Sequence, residues 1–155
     1  MGINIDSLRQ VPEPAAAMPG VIYDEGSIRK NQDELEGFVV DAIIAAAESA
    51  RESGLTEIRV AVIGKKAAYW KSAKMVLRKK YKARTNLHRA YFAVRGICVE
   101  AFFFSVFYNA NSLRGFHNFD LCIYLGDWVR PIEHREIERL LKPDAKLVFV
   151  RVQEA

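Results

Sequence analysis

One stretch of this chain lacks carboxylates altogether. Residues 58–99 hold 12 lysines and arginines and no aspartate or glutamate. Cysteine is also scarce: Cys98 and Cys122 are the only two, and each falls inside an apolar, strand-like run. Two such residues read as buried free thiols in a reducing compartment rather than as a disulfide framework. His88, His117 and His134 are scattered and no cysteine pair is close, which excludes metal-ligand spacing and leaves the expectation of no metal. No apolar run approaches the roughly 18 residues of a membrane span. The N-terminus lacks the basic-then-apolar order of a signal peptide, so a cytoplasmic protein is expected, in a host's cytoplasm if viral.

What is present is ordinary globular material. The 155 residues are half apolar and about a quarter charged, enough for one domain with a sizeable core. The net charge of +4 conceals a polarity along the chain. Residues 1–57 carry 4 basic and 11 acidic side chains, and residues 100–155 carry 7 and 8. The whole positive excess lies in the middle window.

Residues 1–19 contain Pro12, Pro14 and Pro19 around three alanines, a pattern that predicts an extended arm ahead of a single α/β domain over 20–155. Residues 20–23 suit a short strand and 24–30 a polar loop. Asn31 then reads as a helix N-cap, with Glu34 completing a capping box and Gly54 stopping the helix. Leu35, Phe38, Val39, Ala42, Ile43, Ala46 and Ala50 recur at helical spacing along it. Residues 58–63 predict a second strand, turned by Gly64. A helix over about 66–82 follows, with Trp70, Ala73, Leu77 and Tyr81 on its packing face. Residues 91–94 and 97–107 are strand-like and separated by Arg95-Gly96, which reads as a hairpin turn or a bend. Residues 121–125 are apolar without alternation, as in a strand buried on both faces. A helix from Pro131, closed by Pro143, and a strand over 147–152 complete the order. Strands alternating with helices predict a three-layer, mostly parallel α/β sheet of about five strands.

In this order, residues 20–152 resemble a P-loop (RecA-like) NTPase core of the additional-strand type, as in the ATPase domains of viral large terminases and helicase-like motors. Ser112-Leu113-Arg114-Gly115, followed by Phe119-Asp120-Leu121-Cys122-Ile123-Tyr124, is similar to the approach to their Walker B strand. The resemblance implies nucleotide chemistry, and the residues depart from it at both motifs. A phosphate loop needs G-x-x-x-x-G-K-[ST], so that backbone amides and a lysine reach phosphate and a hydroxyl holds magnesium. Aligned on Lys30, the chain has Asp24 and Arg29 at the glycine positions and Asn31 at the hydroxyl position. The Walker B strand requires an acidic pair directly after the apolar run. Leu125 and Gly126 stand there, with Asp127 one or two positions late. The expectation is no catalytic residues and no cofactor; Lys30 and Asp127 are the fallback nucleotide contacts. No G-x-G-x-x-G and no nucleophile elbow offers another chemistry.

The functional candidates are therefore the cations of the carboxylate-free window. Lys65, Lys66, Lys71, Lys74, Arg78, Lys79, Lys80, Lys82, Arg84 and Arg89 fall within 25 residues, and Arg114 lies in a later loop. Spacings of three, four and four put Lys71, Lys74, Arg78 and Lys82 on one side of the predicted helix. Such a stripe suits sequence-independent phosphate contacts. Nucleic acid, DNA ahead of RNA, is the expected partner of a degenerate ATPase-like binding or assembly module of viral or mobile-element type. An acidic protein surface is the alternative, with the chain as an inhibitor or structural subunit, and a nucleotide-binding ATPase comes third. The acidic first third offers this chain a complementary surface of its own, hence a homo-oligomer.

Overall fold

The computed structural model describes residues 22–24, 29–105, 116–126 and 137–153. Among these residues eight strands form one sheet: β1 (Ile22–Asp24), β2 (Arg29–Asn31), β3 (Glu57–Gly64), β4 (Arg84–Thr85), β5 (Arg89–Val94), β6 (Ile97–Ser105), β7 (Phe119–Gly126) and β8 (Leu141–Gln153). Two helices, α1 (Gln32–Glu52) and α2 (Ala68–Lys80), connect β2 to β3 and β3 to β4. The order across the sheet is β1-β8-β7-β3-β6-β5-β4, with β2 continuing the β1 edge along β8. The expectation of a mostly parallel, five-strand sheet is corrected: the sheet is mixed and has seven positions. The five from β1 to β6 are parallel, and β5 and β4 extend them antiparallel.

The extra strands come from local chemistry that composition conceals. Arg95 (φ 48°) and Gly96 (φ 84°) both take positive φ, the two-residue turn that matches the twist of flanking strands. That turn converts the predicted pair of runs into the β5–β6 hairpin. Arg29–Asn31, read from sequence as the end of a loop and a helix N-cap, pairs with Arg151, Val152 and Gln153, and Asn31 serves as the cap as well. β8 begins at Leu141, earlier than expected, because Pro143 falls where β7 and β8 slip register between Phe119 and Leu121. A proline is tolerated at such an irregularity, where no ladder hydrogen bond is lost. Residues 137–140 are helical; the earlier part of the predicted 131–143 helix and the arm over 1–19 lie outside the described residues.

α1 is built as its sequence requires. Asn31 accepts from the Glu34 amide at 3.0 Å, and the Glu34 carboxylate accepts from the Asn31 amide at 2.9 Å. Gly54 closes the helix at φ 83°. α2 has no side-chain cap at its start. Lys82 (φ 58°) holds the left-handed position after its end, and the Ala83 amide returns to the Leu77 carbonyl at 3.1 Å.

Both helices pack on one sheet face. Leu35, Val39, Ile43 and Ala47 of α1 and Trp70, Ala73 and Leu77 of α2 bury against Val60, Val62, Val99, Phe103, Ile123 and Val150. The Trp70 ring lies tilted against that of Phe103, 5.3 Å between centres, and its indole N–H donates to the Phe104 carbonyl, so it is a core residue, as its place on the packing face predicts. The second face gathers Ala61, Ile63, Phe104, Phe119, Tyr124 and Phe149 beneath Ile137 and Leu140. β7 and β3 are thus covered on both sides, which accounts for their lack of alternation.

Candidate nucleic-acid interface

The sheet sorts the basic window onto two faces. Along β5, Ala90 and Phe92 point into the helix-covered core, so Arg89 and Tyr91 face the other way. Arg84 pairs with Tyr91 across the β4–β5 ladder and shares its side. Arg89 binds Glu100 at 3.1 Å, and Glu100 also takes Arg59 at 3.3 Å. Arg59 lies over the rings of Phe102 and Phe119 and donates to the His117 carbonyl, while its amide binds Asp120 at 2.9 Å. Arg95 reaches Glu48 at 3.1 Å. Arg59, Arg89 and Arg95 are therefore neutralised by carboxylates from outside the window, and Arg84 and Arg89 stand apart from the helical cations.

The α2 cations come together. Lys71, Lys74 and Arg78, with Ser72, Met75 and the β4 residue Thr85, line an open groove of about 340 Å³. None of Lys71, Lys74, Arg78, Lys79, Lys80, Lys82 or Arg84 has a carboxylate partner among the described residues. Lys74 is already engaged: its ammonium donates to the Leu87 carbonyl at 3.0 Å and lies 5.9 Å from the Trp70 ring centre. Desolvation, followed by repulsion from Lys71, holds its pKa below the ordinary 10.5. Met75 is 51% and Leu87 73% exposed, two apolar side chains set beside the cations. Asn86 is spent locally, accepting from the His88 amide at 3.0 Å. Lys79 and Lys80 are exposed on the last turn of α2, with Lys80 over the Tyr81 ring, and Lys82 follows at the left-handed position.

At the carboxyl edge of the sheet, the Lys65 amide donates to the Leu125 carbonyl at 3.2 Å. A Cβ placed on Gly126 would meet the Lys65 stem at 3.2 Å. Leu125 is fully buried, so the two positions of the acidic pair hold a core leucine and a glycine covered by a lysine stem. Lys66 lies 5.9 Å over Tyr69. Lys30 is a residue of strand β2, 5.7 Å from the Phe38 ring, not of the first turn of α1. That turn presents Asp33 and Glu34 at the positive end of the helix dipole. Arg114 and Asp127 lie outside the described residues.

No protein family and no curated protein matches the sequence. A solved structure does. It is the large terminase of the thermophilic bacteriophage D6E, in complex with ADP, at a TM-score of 0.59 and 12% identity. The match covers 89% of this chain and 34% of the terminase, so the chain spans about a third of that protein's length. At this identity the likeness is one of fold: this chain has a terminase-like, P-loop-like α/β architecture. Among the described residues no group of histidine, cysteine or carboxylate side chains is placed to hold a metal ion. No described helix is long and apolar enough to cross a membrane.

Sequence reasoning missed the division of the window. The signal was available in the alternation of residues 89–92, where alanine and phenylalanine interleave with arginine and tyrosine. It also missed that Lys74 serves its own loop, which no spacing rule reveals.

Proposed function

We propose that this chain is a non-catalytic nucleic-acid-binding or assembly module built on a terminase-like fold, of viral or mobile-element type. The observation that carries this reading is the α2 groove. Lys71, Lys74 and Arg78 line it together, and no carboxylate among the described residues neutralises them. Seven residues of helix separate the first from the last, about 10 Å of rise, a span that two or three successive phosphates of one strand can follow. Lys79, Lys80 and Lys82 extend the positive surface. The viral context rests on the bacteriophage origin of the structural neighbour alone.

The non-catalytic part is supported at both ends of the nucleotide motif. Lys30 is held in a strand, the start of α1 carries its own carboxylates, and Leu125 and Gly126 occupy the acidic positions. The neighbour's ADP is a property of that protein.

A salt-titrated binding assay on short DNA and RNA tests the reading. Three neutralised phosphates predict a fall of roughly 40-fold in duplex affinity between 50 and 200 mM salt. Lys71→Glu with Arg78→Glu should abolish binding in an otherwise folded protein. Absence of binding to either polymer at low salt overturns it. A second reading, an acidic protein partner, is favoured by the exposed Met75 and Leu87, since apolar anchors among charges suit a protein interface. A stable complex with a protein, without nucleic-acid binding, would establish that one.

A further inference from the structure

α1 and α2 lie side by side on the same sheet face, and their outward surfaces carry opposite charge. α1 holds Asp33, Glu34, Glu36, Asp41, Glu48 and Glu52 against a single Arg51. α2 holds Lys71, Lys74, Arg78, Lys79 and Lys80 and no acid. Glu34 is used in the cap and Glu48 on Arg95, while Asp33, Glu36, Asp41 and Glu52 have no ion-pair partner among the described residues. β2, β3 and β4 all point the same way across the sheet, so the two helices that connect them both run back and are roughly parallel to each other.

From this pairing we infer that the helix-covered face is a self-association surface for a second copy of this chain, related by a two-fold axis along the helices. Such an axis sets α1 of one copy over α2 of the other, twice, and every acidic ridge meets a basic one. A two-fold interface must be self-complementary, and this face is, because one molecule supplies both signs on adjacent parallel ridges. The ridges also fit in shape. Along the outward side of α1, Gly37 and Ala45 leave low points on either side of Asp41, and all three are exposed. On α2 the half-exposed Met75 projects between Lys71 and Arg78. A flexible thioether seated on small residues between two cation–carboxylate pairs is a compact contact. Exposed ion pairs are individually weak and screened within about 8 Å at physiological salt. The association is therefore reversible and salt-sensitive.

The second copy covers the groove that the proposed function gives to phosphate, so self-association and nucleic-acid binding exclude each other. That clause alone rests on the nucleic-acid reading. Dimer in solution is the store, and a polyanion releases monomer by taking Lys71 and Arg78.

The test is a charge swap followed by sedimentation of the full chain. Wild type should be dimeric at low salt and monomeric at high salt. Lys71→Glu with Arg78→Glu should be monomeric at low salt, and so should Asp41→Lys with Glu52→Lys. An equimolar mixture of the two variants should recover a dimer, since the swapped ridges are again complementary. Recovery in the mixture also shows that both variants are folded. Wild type that is monomeric at every salt concentration, a dimer indifferent to both swaps, or a mixture that fails to associate while circular dichroism shows both variants folded would each overturn the inference. A short oligonucleotide added to wild type should convert dimer to monomer. A dimer that binds the oligonucleotide intact overturns the exclusion. Rescue in the mixture with no oligonucleotide binding at all leaves the self-association standing and removes the nucleic-acid reading instead.

Discussion

The Lys74 ammonium reaches across from α2 to the Leu87 carbonyl, 3.0 Å away. It ties the loop over residues 86–88 to the helix, beside Thr85 of β4, which lines the groove. Lys74→Met should loosen that loop, seen as faster amide exchange at residues 86–88, whereas Lys71→Met should leave exchange there unchanged. On the nucleic-acid reading, both should also weaken binding to DNA or RNA.

The same lysine carries a pH signature. Its folded-state pKa is lowered, so between that value and the unfolded value of 10.5 the unfolded chain binds more protons than the folded one. Its contribution to stability therefore rises with pH through that alkaline window. The stability of wild type relative to Lys74→Met should rise with pH there, followed by urea denaturation. A bound polyanion favours the charged form, so binding in that window should be accompanied by proton uptake.

Arg59 of β3 reaches β6 through Glu100 and the Phe102 ring, and β7 through the Phe119 ring and the His117 carbonyl that leads into it. Arg59→Ala leaves Glu100 with Arg89 alone and uncovers Phe119. Loss of a partly buried pair and of ring contacts should cost about 2–3 kcal/mol. On the nucleic-acid reading, binding to DNA or RNA should be unaffected, because the residue lies on the other face from the groove.

The two thiols differ in access. Cys122 is fully buried on β7, and burial pushes its thiol pKa up, while Cys98 is half-buried near Tyr91. Cys98 should react with a thiol reagent in the native protein, and Cys122 only at the rate of unfolding. Equal native rates would contradict the position of β7 inside the sheet.

Gly64 ends β3 where α2 begins. A methyl group there would stand 2.9 Å from the Lys66 carbonyl oxygen and 3.0 Å from the Trp70 ring. Gly64→Ala should cost about 1–3 kcal/mol through displaced backbone. Lys82→Gly should gain roughly 1 kcal/mol by removing side-chain strain from a left-handed residue.

Sequence alone determined whatever depends on near neighbours along the chain. The Asn31–Glu34 capping box spans four residues and the Gly54 stop is one, and the apolar stripe of α1 repeats at a period that only a helix satisfies. The buried character of residues 121–125 follows from their lack of alternation, and the mismatch of residues 24–31 and 125–126 to the two nucleotide motifs needs no coordinates. Tertiary structure decided what depends on which strands become neighbours. Sheet order placed Arg89 beside Glu100, 11 residues on, and Arg59 beside the same carboxylate, 41 residues away. It thereby withdrew two cations from a window that in sequence is uniformly basic. It also turned the α1 and α2 ridges outward side by side. Charge spacing along a helix is fixed by its pitch, but neutralisation depends on which long-range partner the sheet brings within 4 Å, and a linear pattern carries no record of that.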